Sequence, residues 1–223
     1  MNYLLVSLLF ILSYLLGSFP TGYILTKRIK NIDIREHGSN STGATNTTRV
    51  LGLKYGLITI LGDCLKGIII MAILLIFKLE QLYLFDNGKI NILPLYGFFA
   101  VIGHIYPIYL NFKGGKAVAT SFGIVLFLSP LMALIGALVF ILIVIFTKYV
   151  SLGSILGAIS IFISTMIFSV FDIKTIVLGT NNNIIPIEYP IIIGLLTLII
   201  IVRHRENIKR LIHNNENKIS FKK

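Results

Sequence analysis

The segment NFKGGKAVAT at residues 111–120 has residue types that bind an anion, and it lies between two strongly apolar runs. Its paired glycines, Gly114 and Gly115, let backbone N–H groups approach a ligand with no Cβ in the way. A lysine stands on each side of the pair, and the second of them is Lys116. A helix starting near Ala117 would add its own N-terminal N–H groups. These features predict a phosphate pocket at a membrane surface, although a positively charged loop between two membrane helices would have the same composition.

This segment is not a nucleotide-binding P-loop. The GxxxxGK spacing is absent, and Ala117 stands where a serine or threonine would bind magnesium. Elsewhere, no spacing of histidine, cysteine and carboxylates makes a metal site, and no GxSxG elbow presents a nucleophilic serine. We therefore predict no metal and no cofactor, and the sequence argues against nucleotide hydrolysis.

A second polar cluster, GSNSTGATNTTR at residues 38–49, is dense in hydroxyls and amides and ends in an arginine. The guanidinium of Arg49 can hold two phosphate oxygens at once, and small donors suit the remaining oxygens. The alternative is a flexible polar loop with no ligand. The candidate site residues of this cluster are Ser39, Gly43, Thr45, Asn46 and Arg49.

Two shorter polar clusters follow later in the chain. The junction YVSLGS contributes Ser151 and Ser154. The segment RHRENIKR contributes His204 and Asn207, which are three apart and therefore share a helix face. With the neighbouring arginines they could bind a second anion, although basic residues after a membrane helix more often serve as a stop-transfer anchor.

The composition indicates an integral membrane protein. Of 223 residues, 56% are hydrophobic and only 13% are charged, against about a quarter in soluble domains. The mean hydropathy is +0.89, and several apolar runs reach the roughly 18 residues that span a bilayer core. We predict one membrane-embedded domain over residues 1–223. The net charge of +11 is typical of a membrane protein whose basic loops set its topology. It does not indicate nucleic-acid binding, because no basic stretch is interleaved with aromatic residues.

The apolar runs predict an all-α bundle of seven transmembrane helices. The long run at 117–147 decides the topology, because one helix of that length would measure about 46 Å. A break at Ser129 and Pro130 gives a hairpin instead. The hairpin places the basic tail on the same side as the first basic loop, whereas a single crossing would place it outside. The predicted helices are residues 3–25, 55–77, 92–110, 117–128, 131–146, 151–171 and 187–202.

This topology places the N-terminus outside and the C-terminus in the cytoplasm. The first loop (residues 27–54) and the tail (residues 203–223) hold six and seven of the 20 basic residues, whereas the outer loops, including the one at 78–91, hold only three lysines. All four polar clusters then lie on the cytoplasmic face. They could meet there in one cleft.

Two charged residues fall inside the second predicted span. An unpaired charge there costs about 2.5–3.5 kcal/mol, so Asp63 and Lys66, three apart, should pair and face the bundle interior. His104 lies in the third span, where a lone histidine more often makes a helix contact than binds a ligand. The residues by themselves therefore fit an enzyme acting on phosphorylated lipid precursors. The alternative is an anion transporter, for which Asp63 and Lys66 would offer the polar path.

The sequence resembles the bacterial acyl-phosphate:glycerol-3-phosphate acyltransferases, the PlsY family, over nearly its whole length. The matching motifs are GSFPTGYI (17–24), GATNTTRVLG (43–52), GDCLKG (62–67), GHIYPIYLNFKGGKAVAT (103–120), SLGSI (151–155) and HRENIKRL (204–211). The resemblance implies transfer of an acyl chain from acyl phosphate to the 1-hydroxyl of sn-glycerol 3-phosphate. The products are lysophosphatidic acid and inorganic phosphate, in the first step of phospholipid synthesis.

The resemblance also implies roles for individual residues. It makes Ser39, Arg49, Lys116, His204 and Asn207 catalytic. It makes the remaining candidates substrate-binding residues, namely Gly43, Thr45, Asn46, Gly114, Gly115, Ser151 and Ser154. Two positions depart from the family pattern: Ser41 stands where asparagine is usual, and Ala117 where many members have glycine.

The resemblance implies a multi-pass protein of the bacterial cell membrane whose active site faces the cytoplasm. Its partners would be acyl phosphate, glycerol 3-phosphate and membrane lipid, with no nucleic acid and no obligatory protein partner. Because acyl phosphate is already activated, we expect a substrate phosphate oxygen to take the hydroxyl proton, with no acyl-enzyme.

Overall fold

The computed structural model describes residues 3–79, 90–180 and 182–219, and all regular secondary structure in these residues is helical. Two short 3-10 turns lie at Ile34–Glu36 and Ile108–Leu110. The α-helices are α1 (Tyr3–Gly17), α2 (Thr21–Lys30), α3 (Ala44–Leu51), α4 (Leu53–Ile76), α5 (Leu93–Ile105), α6 (Val118–Leu128), α7 (Pro130–Thr147), α8 (Val150–Val170), α9 (Glu188–Arg203) and α10 (Arg205–Ile212).

The chain forms two compact units, Met1–Phe127 and Leu128–Lys223. In the first unit α4 packs against α3 and α5, and α1 packs along α5, where the ring of Phe10 contacts those of Tyr96 and Phe99. Glycine allows α1 and α5 to approach closely, since a Cβ on Gly103 would meet the carbonyl oxygen of Tyr14. In the second unit α8 packs between α7 and α9, and α10 contacts α8 and α9.

Five helical segments of the described residues are long and apolar enough to cross a membrane. They are Tyr3–Lys30, Leu53–Ile76, Leu93–Leu110, Pro130–Thr147 and Val150–Val170. Helices α6 and α9 are shorter, with 11 and 16 residues. A helix covers each of the seven predicted segments, but the count of seven crossings and the orientation of the termini stay predictions.

The first predicted helix has the wrong boundary. The expected span at 3–25 ends at Gly17, and a separate α2 begins at Thr21, directly after Pro20. Proline lacks the N–H that would continue the helical hydrogen bonds, so one helix ends before Pro20 and another begins after it. Helix α2 then carries its basic residues to Lys30, beyond the expected end.

The predicted break at residues 129–130 is confirmed. Helix α6 ends at Leu128, Ser129 is extended with φ −149°, and Pro130 opens α7. Proline suits the first helical position, where its missing N–H would have no partner in any case. The predicted outer loop at 78–91 lies mostly outside the described residues, and the single-domain assignment stays a prediction.

Candidate functional site

Asn46 organises the first polar cluster. Its side chain is 1% exposed, and its Oδ1 accepts a hydrogen bond of 2.8 Å from the backbone N–H of Ser39. Its Nδ2 lies 3.1, 2.8 and 2.9 Å from the carbonyl oxygens of Ile34, His37 and Ser41. The amide predicted to bind substrate is therefore occupied by the protein backbone. Asn46 holds the loop that carries Ser39, and its own contact with a substrate stays a prediction.

The turn before α3 explains two residues of this loop. Gly38 has φ +63°, and a Cβ there would meet the Oδ1 of Asn46, so the turn requires glycine. The hydroxyl of Ser41 accepts a hydrogen bond of 3.3 Å from the N–H of Gly43, which is the N-cap of α3. An asparagine side chain could make the same local bond. The departure at Ser41 therefore preserves this contact within the turn.

Three candidates of the cluster are open to solvent. Ser39, Thr45 and Arg49 are exposed, and Thr45 and Arg49 lie one turn apart on α3. They share a helix face. A hydroxyl and a guanidinium on one face form a suitable arrangement for a phosphate.

The glycine pair does not present its N–H groups to a ligand. The N–H of Gly114 donates to the carbonyl oxygen of Ile105 and that of Gly115 to the carbonyl oxygen of His104, both at 3.1 Å. The expectation that these two donors face a phosphate is therefore wrong. The pair instead ties the segment to the end of α5, where a Cβ on either glycine would meet His104. Half-buried Lys116 follows directly.

Ala117 separates Lys116 from α6, which begins at Val118. It is 2% exposed and has φ +61°, in the left-handed region that favours glycine. The departure from the usual glycine therefore holds alanine in a strained conformation. Lys116 therefore precedes the helix, and the N–H groups of α6 begin at Val118.

Arg35 links the first polar loop to the chain before the glycine pair. Its Nη1 donates 2.8 Å to the carbonyl oxygen of Leu110, and its Nη2 lies 2.6 Å from Oδ2 of Asp33. The guanidinium also lies over the ring of Tyr23. Hydrogen bonds from the Arg35 side chain lower the pKa of Asp33 below its ordinary value, despite partial burial of the carboxylate. Asp33 thus stays ionised and keeps Arg35 in place.

The intramembrane charges pair as expected. Lys66 Nζ lies 2.7 Å from Oδ1 of Asp63, and both side chains are almost fully buried. His104 Nδ1 lies 3.4 Å from Lys66 Nζ and 3.8 Å from Oδ1 of Asp63. The transporter alternative needed these charges along an open polar path, whereas they are held against one another inside the first unit.

In the second unit, two candidates meet at a carboxylate that the sequence analysis missed. Oε1 of Glu216 accepts hydrogen bonds from the hydroxyl of Ser151 at 3.0 Å and from Nδ2 of Asn207 at 2.7 Å. Oε2 lies 2.7 Å from Nε of Arg210. The available signal was a single acidic residue among residues 213–223, which are otherwise basic or uncharged.

The electrostatics of this cluster favour the ionised carboxylate. Burial alone would raise the pKa of Glu216, but hydrogen bonds from Asn207, Arg210 and Ser151 together lower it below its ordinary value. The tail is held at a further point, where the N–H of Ile219 donates to the carbonyl oxygen of Lys148. Glu216 therefore connects α8, α10 and the tail.

The two remaining candidates of this unit bond to the backbone of their own helices. The hydroxyl of Ser154 donates 2.9 Å to the carbonyl oxygen of Val150. Nδ1 of His204 lies 2.8 Å from the carbonyl oxygen of Ile200, at the junction of α9 and α10. Both side chains are buried. Their roles toward a substrate stay predictions, as does a common cleft for all four clusters.

The apolar helices, with basic polar clusters beside them, define an all-helical membrane protein. A family model described as glycerol-3-phosphate acyltransferase matches residues 7–214. Glycerol-3-phosphate acyltransferases of Acholeplasma laidlawii and Bacillus subtilis (strain 168) are both 43% identical to the chain. They match over 100% and 98% of it, and over 97% and 100% of their own lengths. The chain belongs to the glycerol-3-phosphate acyltransferase family.

Solved structures give the same assignment. The chain is similar to PlsY (YgiH), an integral membrane glycerol 3-phosphate acyltransferase, in its glycerol 3-phosphate form, with a TM-score of 0.80 and 36% identity. The match covers 96% of this chain and 94% of that one. The lysophosphatidic acid form of PlsY matches with a TM-score of 0.77. The resemblance inferred from the motifs is thereby confirmed, and so is the class of all-helical membrane protein.

Proposed function

We propose that this protein transfers an acyl group from acyl phosphate to the 1-hydroxyl of sn-glycerol 3-phosphate. The observation that carries the proposal is the likeness, over 96% of the chain, to an acyltransferase solved with glycerol 3-phosphate and with lysophosphatidic acid. One is the acceptor of such a reaction and the other its acylated product. The identity of the acyl donor goes beyond these two ligands, and we argue it from the chemistry of the site.

An acyl phosphate needs little assistance from the protein. The acceptor hydroxyl oxygen attacks the carbonyl carbon, the bond from that carbon to the phosphate oxygen breaks, and the hydroxyl proton passes to a phosphate oxygen. The products are 1-acylglycerol 3-phosphate and inorganic phosphate. The protein must therefore hold two phosphates and stabilise the leaving charge, which cations achieve by electrostatics. No covalent intermediate on a serine or on Cys64 is required.

In the first unit, the cations at the polar clusters take the phosphates. Arg49 is exposed on α3 beside Thr45, which suits a bidentate contact with the glycerol phosphate. Lys116, half-buried after the tethered glycine pair, stabilises the leaving phosphate. Ser39 donates from the loop that Asn46 holds. Gly43, Gly114 and Gly115 serve by shaping the backbone.

In the second unit, His204 and Asn207 are the proposed substrate contacts. Asn207 gives one amide hydrogen bond to Glu216 and so has a defined orientation. His204 is oriented by the carbonyl oxygen of Ile200. Ser151 and Ser154 complete the proposed set on α8. The site faces the cytoplasm of a bacterial cell, where basic loops accumulate and where soluble glycerol 3-phosphate meets a membrane-borne donor.

The decisive experiment uses the purified protein in detergent with chemically prepared palmitoyl phosphate. We expect release of inorganic phosphate only when glycerol 3-phosphate is present, with an equal amount of lysophosphatidic acid by mass spectrometry. Parallel reactions contain palmitoyl-CoA or palmitoyl-acyl carrier protein as donor, and these should give no product. Transfer from either thioester without transfer from palmitoyl phosphate would overturn the donor assignment. A serine or cysteine acyl adduct in quenched turnover would overturn the direct mechanism.

A further inference from the structure

His104 lies where the buried ion pair of α4 meets the glycine–lysine segment. Its side chain is 6% exposed, and its Nδ1 lies 3.4 Å from the ammonium of Lys66. The same ammonium is 2.7 Å from the carboxylate of Asp63. The imidazole therefore belongs to a buried group of three side chains, all within matched motifs, to which neither the resemblance nor the proposed chemistry gives a role.

The partners of His104 fix the orientation of its ring. An ammonium group only donates hydrogen bonds, so in the contact with Lys66 the Nδ1 atom is the acceptor. The imidazole is then held at one edge by Lys66, which is itself held by Asp63. This arrangement keeps the ring in one orientation inside the first unit.

The other edge of the ring lies against the segment that carries Lys116. A Cβ built on Gly115 would meet Nε2, Cε1 and Cδ2 of His104. The N–H of Gly115 also donates to the backbone carbonyl oxygen of His104 at 3.1 Å. Gly115 thus contacts both the backbone and the side chain of His104, and Lys116 is the next residue in the chain.

We propose that His104 is a positioning residue: held by Lys66 and Asp63, its imidazole sets where Gly115 lies and thereby where the ammonium of Lys116 is presented. The ring touches no reacting atom in this account. Its effect on catalysis passes through the backbone of the glycine–lysine segment. The part that concerns turnover rests on the proposed function, whereas the position of Lys116 can be measured without it.

The test is a double-mutant cycle between His104→Asn and Gly115→Ala. Asparagine keeps atoms at the Nδ1 and Cδ2 positions but lacks the Nε2 end, so it leaves room for the new methyl group. Gly115→Ala in the wild-type background should lower kcat, raise KM for palmitoyl phosphate and change the rate at which acetic anhydride modifies Lys116, with exposed Lys113 as internal reference. In the His104→Asn background the same change should have an effect about tenfold smaller, within the range for contacting residues.

A second variant and a control sharpen the cycle. His104→Gln keeps an amide near the Nε2 position, so Gly115→Ala should remain as damaging in that background as in the wild type. His213→Asn alters an exposed histidine of the other unit and should leave KM and Lys116 modification unchanged. Unfolding temperatures in detergent identify variants that merely fail to fold.

Two results would overturn the proposal. One is a Gly115→Ala effect of equal size in the wild-type and His104→Asn backgrounds. The other is a folded His104→Asn protein with unchanged KM and unchanged Lys116 modification. If the wild type forms no lysophosphatidic acid, the proposed function fails, and the modification cycle alone decides the role of His104.

Discussion

The two lysines beside the glycine pair, Lys113 and Lys116, differ in their exposure to solvent. Lys113 is exposed, whereas Lys116 is half-buried between a tethered glycine and the strained Ala117. A charge held in a fixed and partly desolvated position stabilises a developing anion better than one on a mobile exposed stem. The two lysines therefore form a matched pair for testing which of them serves the leaving phosphate.

We expect Lys116→Met to lower kcat by about 100-fold or more, the usual cost of removing a group that stabilises transition-state charge. Lys113→Met removes the same charge from an exposed position, and its effect should stay below about tenfold because solvent screens it. Phosphate release from palmitoyl phosphate measures both, after membrane insertion of each variant has been verified. Equal losses for the two variants would show that net charge, not the position of Lys116, matters.

The lowered pKa of Glu216 predicts how the stability of the folded protein depends on pH. Because its pKa is lowered in the folded protein, its contribution is fully present above the ordinary value of 4.5 and is lost as the pH falls through the lowered value. Glu216→Gln should therefore lower the unfolding temperature at pH 7 by roughly 4–8 °C, for about 2 kcal/mol of charge-assisted hydrogen bonds. The difference from the wild type should shrink as the pH falls below 4.5 toward the lowered value.

Thermal unfolding in detergent at several pH values measures this effect. Glu206→Gln is the matched control, because Glu206 is another glutamate of the basic C-terminal segment but is exposed on α10, with basic partners at 3.6 and 3.7 Å. Exposed pairs contribute little. A Glu216→Gln protein as stable as the Glu206→Gln protein at pH 7 would contradict the structural account of the tail.

Helix α3 and the loop before it are one element, because a single side chain joins them. Asn46 lies on the first turns of α3, and its amide reaches back to four backbone groups of the loop. Those hydrogen bonds fix the position of the turn at Gly38. The loop geometry that presents Ser39 therefore depends on α3.

Asn46→Ala should lower stability by about 2–4 kcal/mol, since each backbone hydrogen bond contributes roughly 0.5–1.5 kcal/mol. Acyl transfer should fall as well, although Asn46 is not proposed to touch substrate. Asn46→Asp is the matched variant. It keeps the acceptor for the N–H of Ser39 but turns a carboxylate oxygen toward three carbonyl oxygens, so it should be at least as damaging. An Asn46→Asp protein with normal stability would show that the contacts to the carbonyls are unimportant.

For the whole molecule, the predicted topology specifies which membrane face each polar cluster occupies. Each unit carries basic polar groups beside apolar helices, and the proposed function predicts that both sets lie on the cytoplasmic side. Single cysteines at exposed Lys113 and His213, in a protein with Cys64 replaced by serine, report the two units separately. We expect an impermeant maleimide to label both in inside-out vesicles and neither in right-side-out vesicles.

A cysteine at Asp172, after α8, should give the opposite pattern and serves as the control for vesicle orientation. Labelling of the Lys113 and His213 positions from opposite sides would contradict the hairpin topology. The shared use of both units in one reaction would then fail too.

The sequence by itself determined the membrane class, the family and most helix positions. These follow from long apolar runs, whose burial in lipid is decided by composition, and from Pro130, whose ring ends one helix and starts another whatever surrounds it. The pairing of Asp63 with Lys66 was also predictable, because three residues along a helix bring side chains together and lipid leaves no other solution.

Only the tertiary structure decided what the polar candidates contact. The motifs indicated that Asn46, Gly114 and Gly115 belong to a site, but their amide groups turned out to bond the backbone of the protein itself. The same holds for Glu216, which joins Ser151 and Asn207 across long sequence separations. A hydrogen bond depends on positions in space that composition and spacing do not specify, so the division between residues that bind a ligand and residues that hold the site emerged only from the fold.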